Sequence, residues 1–312
     1  MKVSILIPAY NAERYIAETI QCAIGQTWTN KEIIVVDDGS KDNTFDIAKS
    51  FESDIVRVFR QTNKGASAAR NFAFAQSTGD MIQYLDADDL LSPNKIENQM
   101  KLHLEQENEK SIVVCNFLYF TGNIISGLYF PNCRLISTSY APGFELLIDI
   151  FDYSFGTQTS MWLTPRSLIA QSGGWNEKIS LNDDGEFFFR IVSQCSKVLY
   201  CSNAIVYYRI PEEGLSQRRD AAAAVSQITS TRVMRDIILS FSKSRRARLA
   251  CCKFYMRYYN QFDDKGYYNS ETEKDIRELG FNPNLWLSPK KTGMLRSVLR
   301  KGLKKLINES FI

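Results

Sequence analysis

The segment MIQYLDADD (residues 81–89) decides the fold, because it joins a short apolar run directly to three carboxylates. The segments VSILIPAY (3–10) and EIIVVDDGS (32–40) repeat this arrangement of an apolar run followed by a polar end. Continuous apolar runs with β-branched residues are typical of strands that a parallel sheet buries on both faces. Helical periodicity between the runs predicts alternating strands and helices, and therefore a doubly wound, mostly parallel α/β sheet.

The strand ends predict where a site lies. In open parallel sheets, ligands bind at the carboxyl ends of the strands, and here those ends carry polar residues. The predicted strands of this half are Val3–Ile7, Glu32–Val36, Ile55–Phe59 and Met81–Leu85, and helices at about 12–26, 44–51 and 66–76 separate them.

The second half of the chain has a less regular pattern, and its character changes near residue 215. After this soft boundary the sequence predicts only helices, which form a C-terminal extension. The predicted elements are strands at 111–120, 160–163 and 198–209, and helices at 93–107, 144–151, 183–195, 221–239, 245–260 and 270–279.

Composition narrows the function classes. The chain has 312 residues, 38 basic and 35 acidic side chains, and a net charge of +3, which by itself does not indicate nucleic-acid binding. The single histidine, His103, excludes zinc sites with two histidines, and we expect it to be a surface or packing residue. Acid–base chemistry therefore falls to carboxylates.

Cysteine usage and hydropathy predict the compartment. Seven scattered cysteines without a C-x-x-C pair favour reduced thiols in a cytosolic protein over a disulfide framework. No stretch of about 18 apolar residues occurs, so we expect no membrane span. The N-terminal apolar run is short and is followed by acidic residues, which favours a buried strand over a signal peptide.

Two common nucleotide-binding motifs are missing. No G-x-G-x-x-G follows a strand and no G-x-x-x-x-G-K-[ST] occurs, so neither a dinucleotide-binding Rossmann domain nor a P-loop is supported. The chain instead resembles family 2 glycosyltransferases of the GT-A fold. The resemblance rests on VSILIPAYNAERYIAETIQCAIGQTW, EIIVVDDGSKDNT, QTNKGASAARNFAFAQSTGD, YLDADDLLSP and GGWNEKISLNDDGEFFFR.

The resemblance implies a division of labour along the chain. Residues 1–100 would bind the nucleotide-sugar donor, 101–215 would bind the acceptor within the same GT-A domain, and 216–312 would be the helical extension. Such enzymes transfer a sugar from a nucleotide-diphosphate sugar, with a UDP-sugar as the first candidate here, to an acceptor hydroxyl with inversion. The missing Q-x-x-R-W motif indicates transfer of one sugar per encounter.

The Asp86-Ala87-Asp88 segment is the predicted metal site. Hard carboxylate oxygens suit Mn²⁺ or Mg²⁺ bridging a diphosphate. The resemblance implies that Asp88 binds the metal and that Asp86 contacts the ribose or metal-bound water. The alternative is an acidic turn that caps the following helix through Asp89 or Ser92.

Other donor contacts follow from the resemblance. Asp38 would hydrogen-bond the nucleotide base in a pocket shaped by Pro8 and Tyr10, and Lys64 and Arg70 would approach the nucleotide or diphosphate. The alternatives are a simple turn at Asp38 and a helix-surface ion pair at Arg70.

The acceptor side is expected to hold the catalytic base. The resemblance makes Asp184 the base, gives Asp183 a role in positioning a loop or the acceptor, and makes Trp175 a candidate for stacking on a sugar. N-capping of the helix by Asp183 or Asp184 and core packing of Trp175 are the alternatives. An aromatic residue is common in the family where Gly185 stands.

Two features bear on partners. Many relatives carry a histidine after the strand that ends in Arg209, as a further metal contact, and this chain does not. The set of metal ligands is therefore open. The alternative function is a catalytically silent nucleotide-sugar-binding or scaffold protein.

The tail at 290–308 has a basic amphipathic pattern suited to an anionic membrane surface. It agrees with a lipid-linked acceptor in surface polysaccharide or glycolipid assembly at the inner face of the membrane. The alternative is a helix packed on the protein.

Overall fold

The structure is a computed structural model that describes residues 1–106, 110–122, 127–128, 135–210, 218–263 and 265–286. The strands within this part are β1 (Val3–Ala9), β2 (Lys31–Asp37), β3 (Val56–Arg60), β4 (Met81–Tyr84), β5 (Leu90–Leu91), β6 (Ser111–Phe120), β7 (Trp162–Pro165) and β8 (Lys197–Arg209). The helices are α1 (Ile16–Ile24), α2 (Thr44–Lys49), α3 (Ala66–Gln76), α4 (Lys95–Leu104), α5 (Phe144–Tyr153), α6 (Arg166–Ser172), α7 (Asp183–Gln194), α8 (Ala221–Phe241), α9 (Arg245–Arg257), α10 (Lys265–Glu278) and α11 (Pro283–Trp286).

These strands form one mixed sheet in the order β3-β2-β1-β4-β7-β6-β8-β5. The β1–β2, β1–β4, β2–β3 and β6–β8 pairs are parallel, and β4–β7, β6–β7 and β5–β8 are antiparallel. The α/β class with a mostly parallel sheet and a helical C-terminal extension is confirmed. The strand predicted at 160–163 corresponds to β7, but its antiparallel pairing was not predicted. It lies between β4 and β6 and so joins the first half of the sheet to the second.

The core explains the continuous apolar runs. All seven residues of β1 are buried, and β2 is buried over six of its seven. In the registered sheet Ile5 lies opposite Ile33 and Leu6 opposite Tyr84. Burying each aliphatic side chain of this kind stabilises the fold by about 1.5–3 kcal/mol. Since both faces of these strands meet apolar layers, polar residues collect only where the strands end.

The C-terminal helices pack against the second half of the sheet domain. Phe254 of α9 stacks on Phe151 of α5, with ring centroids 4.0 Å apart and planes 7° from parallel. Arg246 forms an ion pair with Asp149 of α5. This combination of an apolar stack and ion pairing fixes α9 on the domain.

Several single expectations are now decided. His103 is buried and its Nδ1 lies 3.1 Å from the Ser111 hydroxyl, so it is a packing residue and not a surface one. The six cysteines in the described part are free thiols. No helix in the same part is long and apolar enough to cross a membrane. Helix α6 was not predicted from the sequence, because it has only seven residues between Pro165 and Gly173.

Candidate functional site

The loop that follows β4 meets helix α3 through a buried arginine. Arg70 is 6% exposed, and its Nη2 donates to Oδ1 of Asp86 over 2.8 Å. Its Nη1 donates to Oδ2 of Asp183, at the start of α7, over 2.9 Å. The guanidinium also lies over the Trp175 ring, 4.3 Å from the centroid. One side chain therefore bridges the predicted metal-binding loop and the predicted base-bearing helix.

The alternative for Arg70 was an ion pair on the helix surface, whereas the observed bridge is buried. Burial alone would lower the pKa of the guanidinium, but Asp86 and Asp183 reverse that effect and raise it. The arginine therefore keeps its charge inside the protein. Its Nε has no hydrogen-bond partner among the residues that the structure describes.

Asp88 is the least satisfied carboxylate of the loop. Burial, with the charge of Asp86 as the second cause, raises its pKa to about 6. Within the described part of the chain, no side chain donates a hydrogen bond to this carboxylate, and no group of three potential metal ligands occurs. The charge of Asp86 disfavours the ionisation of Asp88, and carboxylate oxygens placed in this way are a donor set that suits a hard divalent cation. Asp86 and Asp88 therefore fit two ligands of Mn²⁺ or Mg²⁺, with remaining ligands from outside the protein.

The capping alternative for this loop is wrong. Helix α4 begins after Asn94, and no side chain in the described part of the chain caps it. Asp89 instead accepts hydrogen bonds from the backbone of Arg209 and from the side chain of Gln158. Asp89 therefore links the loop to β8 and does not cap α4.

Arg209 is a site residue that the sequence analysis had not assigned. Its Nε donates to the backbone oxygen of Asp88 over 2.8 Å, and its Nη2 donates to Glu18 over 2.6 Å. Its guanidinium lies 4.2 Å from the Phe120 ring centroid. The buried arginine fixes the backbone that carries Asp88. The signal that would have found it is an arginine directly after the run AIVYY (204–208), at the end of the strand.

Asp183 and Asp184 stand next to each other but have different surroundings. Oδ2 of Asp183 accepts hydrogen bonds from Arg70 and from the Ser67 hydroxyl, 3.1 Å away. Among the described residues, Asp184 accepts a hydrogen bond only from the backbone N–H of Gly185, at 2.8 Å. Burial, with Asp183 as the second cause, raises the pKa of Asp184 to about 7.

The desolvation of Asp184 has a visible source. Its side chain lines a small pocket whose other members are almost all apolar. These are Leu147, Ile150, Thr157, Trp162, Gly185, Phe188, Phe189 and Val192. A carboxyl group whose pKa is raised to about 7, beside one that is ion-paired with an arginine, is an arrangement that suits acid–base catalysis. N-capping does not explain either residue, because Asn182 is the N-cap of α7.

Asp38 lies at the end of β2 and is 3% exposed. Its oxygens accept hydrogen bonds from the backbone of Lys64 and Gly65 and from the Gln61 side chain, over 2.7–2.9 Å. Gly39 has φ 73°, and a Cβ there would lie 2.8 Å from the backbone nitrogen of Asn63. Asp38 therefore orders the loop before α3, and its contact with a nucleotide base stays a prediction.

The remaining donor candidates line the same edge of the sheet. Pro8 is buried in β1, Tyr10 is 45% exposed just beyond it, and the Lys64 side chain is exposed. Tyr10 and Lys64 are thus free to meet a ligand, and their roles stay predictions.

Trp175 requires a correction. It is 3% exposed and stacks on Phe187 with centroids 4.1 Å apart, while Tyr84 meets it edge-on at 5.1 Å. The ring is a core residue that supports Arg70, and it is not available for stacking on a sugar.

The basic tail at 290–308 and the segment that follows Ile210 lie outside the described residues.

Comparison with known proteins identifies the family. The model for glycosyl transferase family 2 matches residues 4–127. An uncharacterized glycosyltransferase of Rickettsia typhi is 43% identical over 214 residues, which are 67% of this chain and 64% of that protein. Glycosyltransferase GlyA of Streptococcus pneumoniae is 29% identical over 227 residues, 69% of this chain and 32% of that one. The chain thus spans less than two thirds of each of these relatives.

A solved structure shares the fold. The crystal structure of S. aureus TarS 1–349 in complex with UDP-GlcNAc matches with a TM-score of 0.68 over 95% of this chain and 84% of that one. The sequence identity is 18%, so this likeness concerns the fold alone. The family match covers β1 to β6, including the loops that carry Asp38 and Asp88. The segment 4–127 of the chain therefore belongs to glycosyl transferase family 2.

Proposed function

We propose that this chain is a metal-dependent, inverting glycosyltransferase that moves one sugar from a nucleotide-diphosphate sugar to an acceptor hydroxyl. The donor is a nucleotide sugar of the UDP class, and the acceptor is a saccharide or a lipid-linked saccharide. The observation that carries the proposal is the Arg70 bridge, which holds Asp86 and Asp183 on one guanidinium. The bridge joins the pair Asp86 and Asp88, which would serve the donor, to the pair Asp183 and Asp184, which would serve the acceptor.

The first pair supplies the donor side. Asp88 and Asp86 would hold the cation, which when bound neutralises charge on the departing diphosphate. Asp38 would contact the base, and the exposed Tyr10 and Lys64 would contact the nucleotide. TarS has been crystallised with UDP and with UDP-GlcNAc, which supports a UDP-sugar as the donor to test first.

The second pair supplies the acceptor side. Asp184 takes the proton from the acceptor hydroxyl while that oxygen attacks the anomeric carbon of the donor. The bond between the anomeric carbon and the diphosphate oxygen breaks, and the nucleoside diphosphate leaves with its electron pair. Attack from the face opposite the leaving group inverts the anomeric carbon. A base whose pKa lies near the working pH suits this task, and Asp184 has one of about 7.

Substitution of the base tests the proposal. Purified protein is assayed for sugar transfer and donor hydrolysis with a panel of nucleotide sugars and Mn²⁺, and donor binding is followed by calorimetry. Asp184→Asn is expected to lower turnover by about 10²–10⁴-fold and to retain donor binding. Near-normal turnover would remove Asp184 as the base. Donor binding by the wild-type protein without transfer or hydrolysis would favour the silent binding protein.

A membrane role for the basic tail is part of the proposal. Clusters of lysine and arginine beside an apolar face bind anionic lipid surfaces, and the tail would bring the site to a lipid-linked acceptor. The test is co-sedimentation with anionic vesicles. A chain that ends near residue 288 is expected to lose binding, and equal binding by both chains would refute this role.

A further inference from the structure

The backbone that leads into α7 is held by a helix of the C-terminal extension. The Ser226 hydroxyl of α8 accepts hydrogen bonds from the backbone N–H groups of Ser180 and Leu181, both at 2.9 Å, and donates to the carbonyl of Leu181 at 3.1 Å. Ser226 is 5% exposed. A single serine thus satisfies three backbone groups of the loop directly before the acidic pair.

The next residue of the loop is tied to the same helix face. Asn182 has φ 61°, and its Nδ2 donates to the Ser230 hydroxyl over 2.9 Å. Ser230 is fully buried and donates its own proton to the carbonyl of Gln227. Because Ser226 and Ser230 are four residues apart, they lie on one face of the helix. These two serines place hydroxyl groups where helix packing alone would favour apolar side chains.

Gly185 is matched to this arrangement. A Cβ at this position would lie 2.3 Å from Oδ1 of Asn182, and the two next-nearest atoms also belong to that side chain. Glycine therefore leaves the space in which the Asn182 side chain lies across the first turn of α7. An alanine would require Asn182 to move away from Ser230.

Asp184 has little that holds it directly. Within the part of the chain that the structure describes, its carboxylate accepts one hydrogen bond, from the backbone of the next residue. The charged groups that act on it are Asp183 on its own helix, Arg70 on α3 and Asp86 after β4. Its place beside the apolar pocket therefore depends on the path of the backbone through residues 180–182.

We propose that Ser226, Ser230, Asn182 and Gly185 form a positioning device through which the helical extension sets the place of the Asp184 carboxylate. This inference rests on the proposed function, in which Asp184 is the base. None of the four residues needs to touch a substrate. The helical extension then contributes to the active site, although it lies outside the segment 4–127 that matches the family.

The first test separates position from binding. Ser226→Ala and Ser230→Ala are each expected to lower kcat by about 10-fold to 100-fold, since a misplacement of about 1 Å can cost that much. The KM for the donor is expected to change less than twofold. Thr229→Ala, on the exposed face of α8, is the matched control and is expected to keep kcat within twofold. A loss of donor binding equal to the loss of kcat would overturn the proposal.

The second test uses the contact between Gly185 and Asn182. Gly185→Ala alone is expected to lower kcat about tenfold or more, because the new methyl group displaces Asn182. In the background of Asn182→Gly, which keeps the left-handed backbone but has no side chain, the same alanine is expected to change kcat less than twofold. An equal effect of the alanine in both backgrounds would refute the coupling.

A third measurement needs no turnover. The Asp184 carboxyl group is titrated by NMR in protein labelled at the aspartate carboxyl carbons, with Asp184→Asn for assignment. Ser226→Ala is expected to move the pKa of Asp184 toward the ordinary value of a carboxyl group, because the side chain leaves its apolar surroundings. An unchanged pKa overturns the positioning device. A wild-type protein that transfers no sugar but shows this change refutes only the proposed function.

Discussion

The charge on Asp184 is expected to cost the protein stability, and Asp184→Asn is expected to recover it. The pKa of Asp184 rises from 3.8 to about 7 on folding, so the folded state binds this proton more tightly than the unfolded chain does. The wild-type protein therefore loses stability as the pH rises from about 4 to about 7, at ~1.4 kcal/mol per pH unit. An asparagine has no proton to lose. The advantage of the variant should be absent near pH 4 and complete above pH 7.

The size of the effect follows from the same values. The full change in pKa corresponds to about 4 kcal/mol. The side chain is partly exposed, and solvent screening reduces the expected gain to about 2 kcal/mol. For a chain of this length, about 2 kcal/mol raises Tm by roughly 3 °C. Thermal unfolding of both proteins at a series of pH values between 5 and 8 measures the difference.

Asp183→Asn is the matched control, because it changes the neighbouring carboxylate in the same way. Asp183 is paired with Arg70, and losing its charge leaves that guanidinium with Asp86 as its one ion-pair partner among the described residues. This variant should be less stable than the wild-type protein at pH 8. A gain for Asp184→Asn that is the same at pH 5 and pH 8, or a gain for both variants, would refute the account of Asp184 as an uncompensated charge.

Three further outcomes are expected. Transfer measured as kcat/KM against pH should fall tenfold per unit below about pH 7, as Asp184 becomes protonated, and a flat profile down to pH 5 would contradict its role as base. Arg70→Met should lower the free energy of unfolding in urea by about 2–4 kcal/mol, since two largely buried carboxylates lose their partner, and a change below about 1 kcal/mol would contradict the bridge. Asp88→Asn should abolish the rise in Tm that Mn²⁺ gives with UDP, and a full rise in this variant would exclude Asp88 as a ligand.

Local pattern was enough to predict the edge of the sheet on which Asp38, Asp86 and Asp88 lie. The strand from Ser111 to Phe120 and the helix from Ala66 to Gln76 have the predicted bounds, because a buried strand and a small-residue helix each carry their own periodicity. The polar residues that follow β2 and β4 fit the same pattern, since largely apolar runs precede them. The position of Asp38 and Asp86 at strand ends follows from this pattern, whereas their roles are implied by the resemblance to the family.

Long-range pairing was not predictable from one sequence. Arg70 and Asp183 are 113 residues apart, and nothing in the local pattern of either shows that they meet. The same is true of Asn182 and Ser230, which pair helix α8 with the start of α7. Trp175 was misjudged as a candidate for sugar stacking because an aromatic residue after two glycines has the same local pattern in a core and in a binding site. Such contacts depend on how the second half folds back onto the first.

The distribution of partners among the acidic residues argues that this edge of the sheet is a site. A structural role would favour carboxylates that are paired or that cap helices, as Asp183 is paired with Arg70. Asp88 and Asp184 are neither, and burial raises the pKa of both. A buried carboxyl group without a compensating partner lowers stability when it is charged, and such groups are concentrated at sites where the charge meets a ligand or moves a proton. In the proposed transfer reaction Asp88 would hold the cation and Asp184 would take the proton, so each of these two poorly compensated carboxyl groups has a task in it.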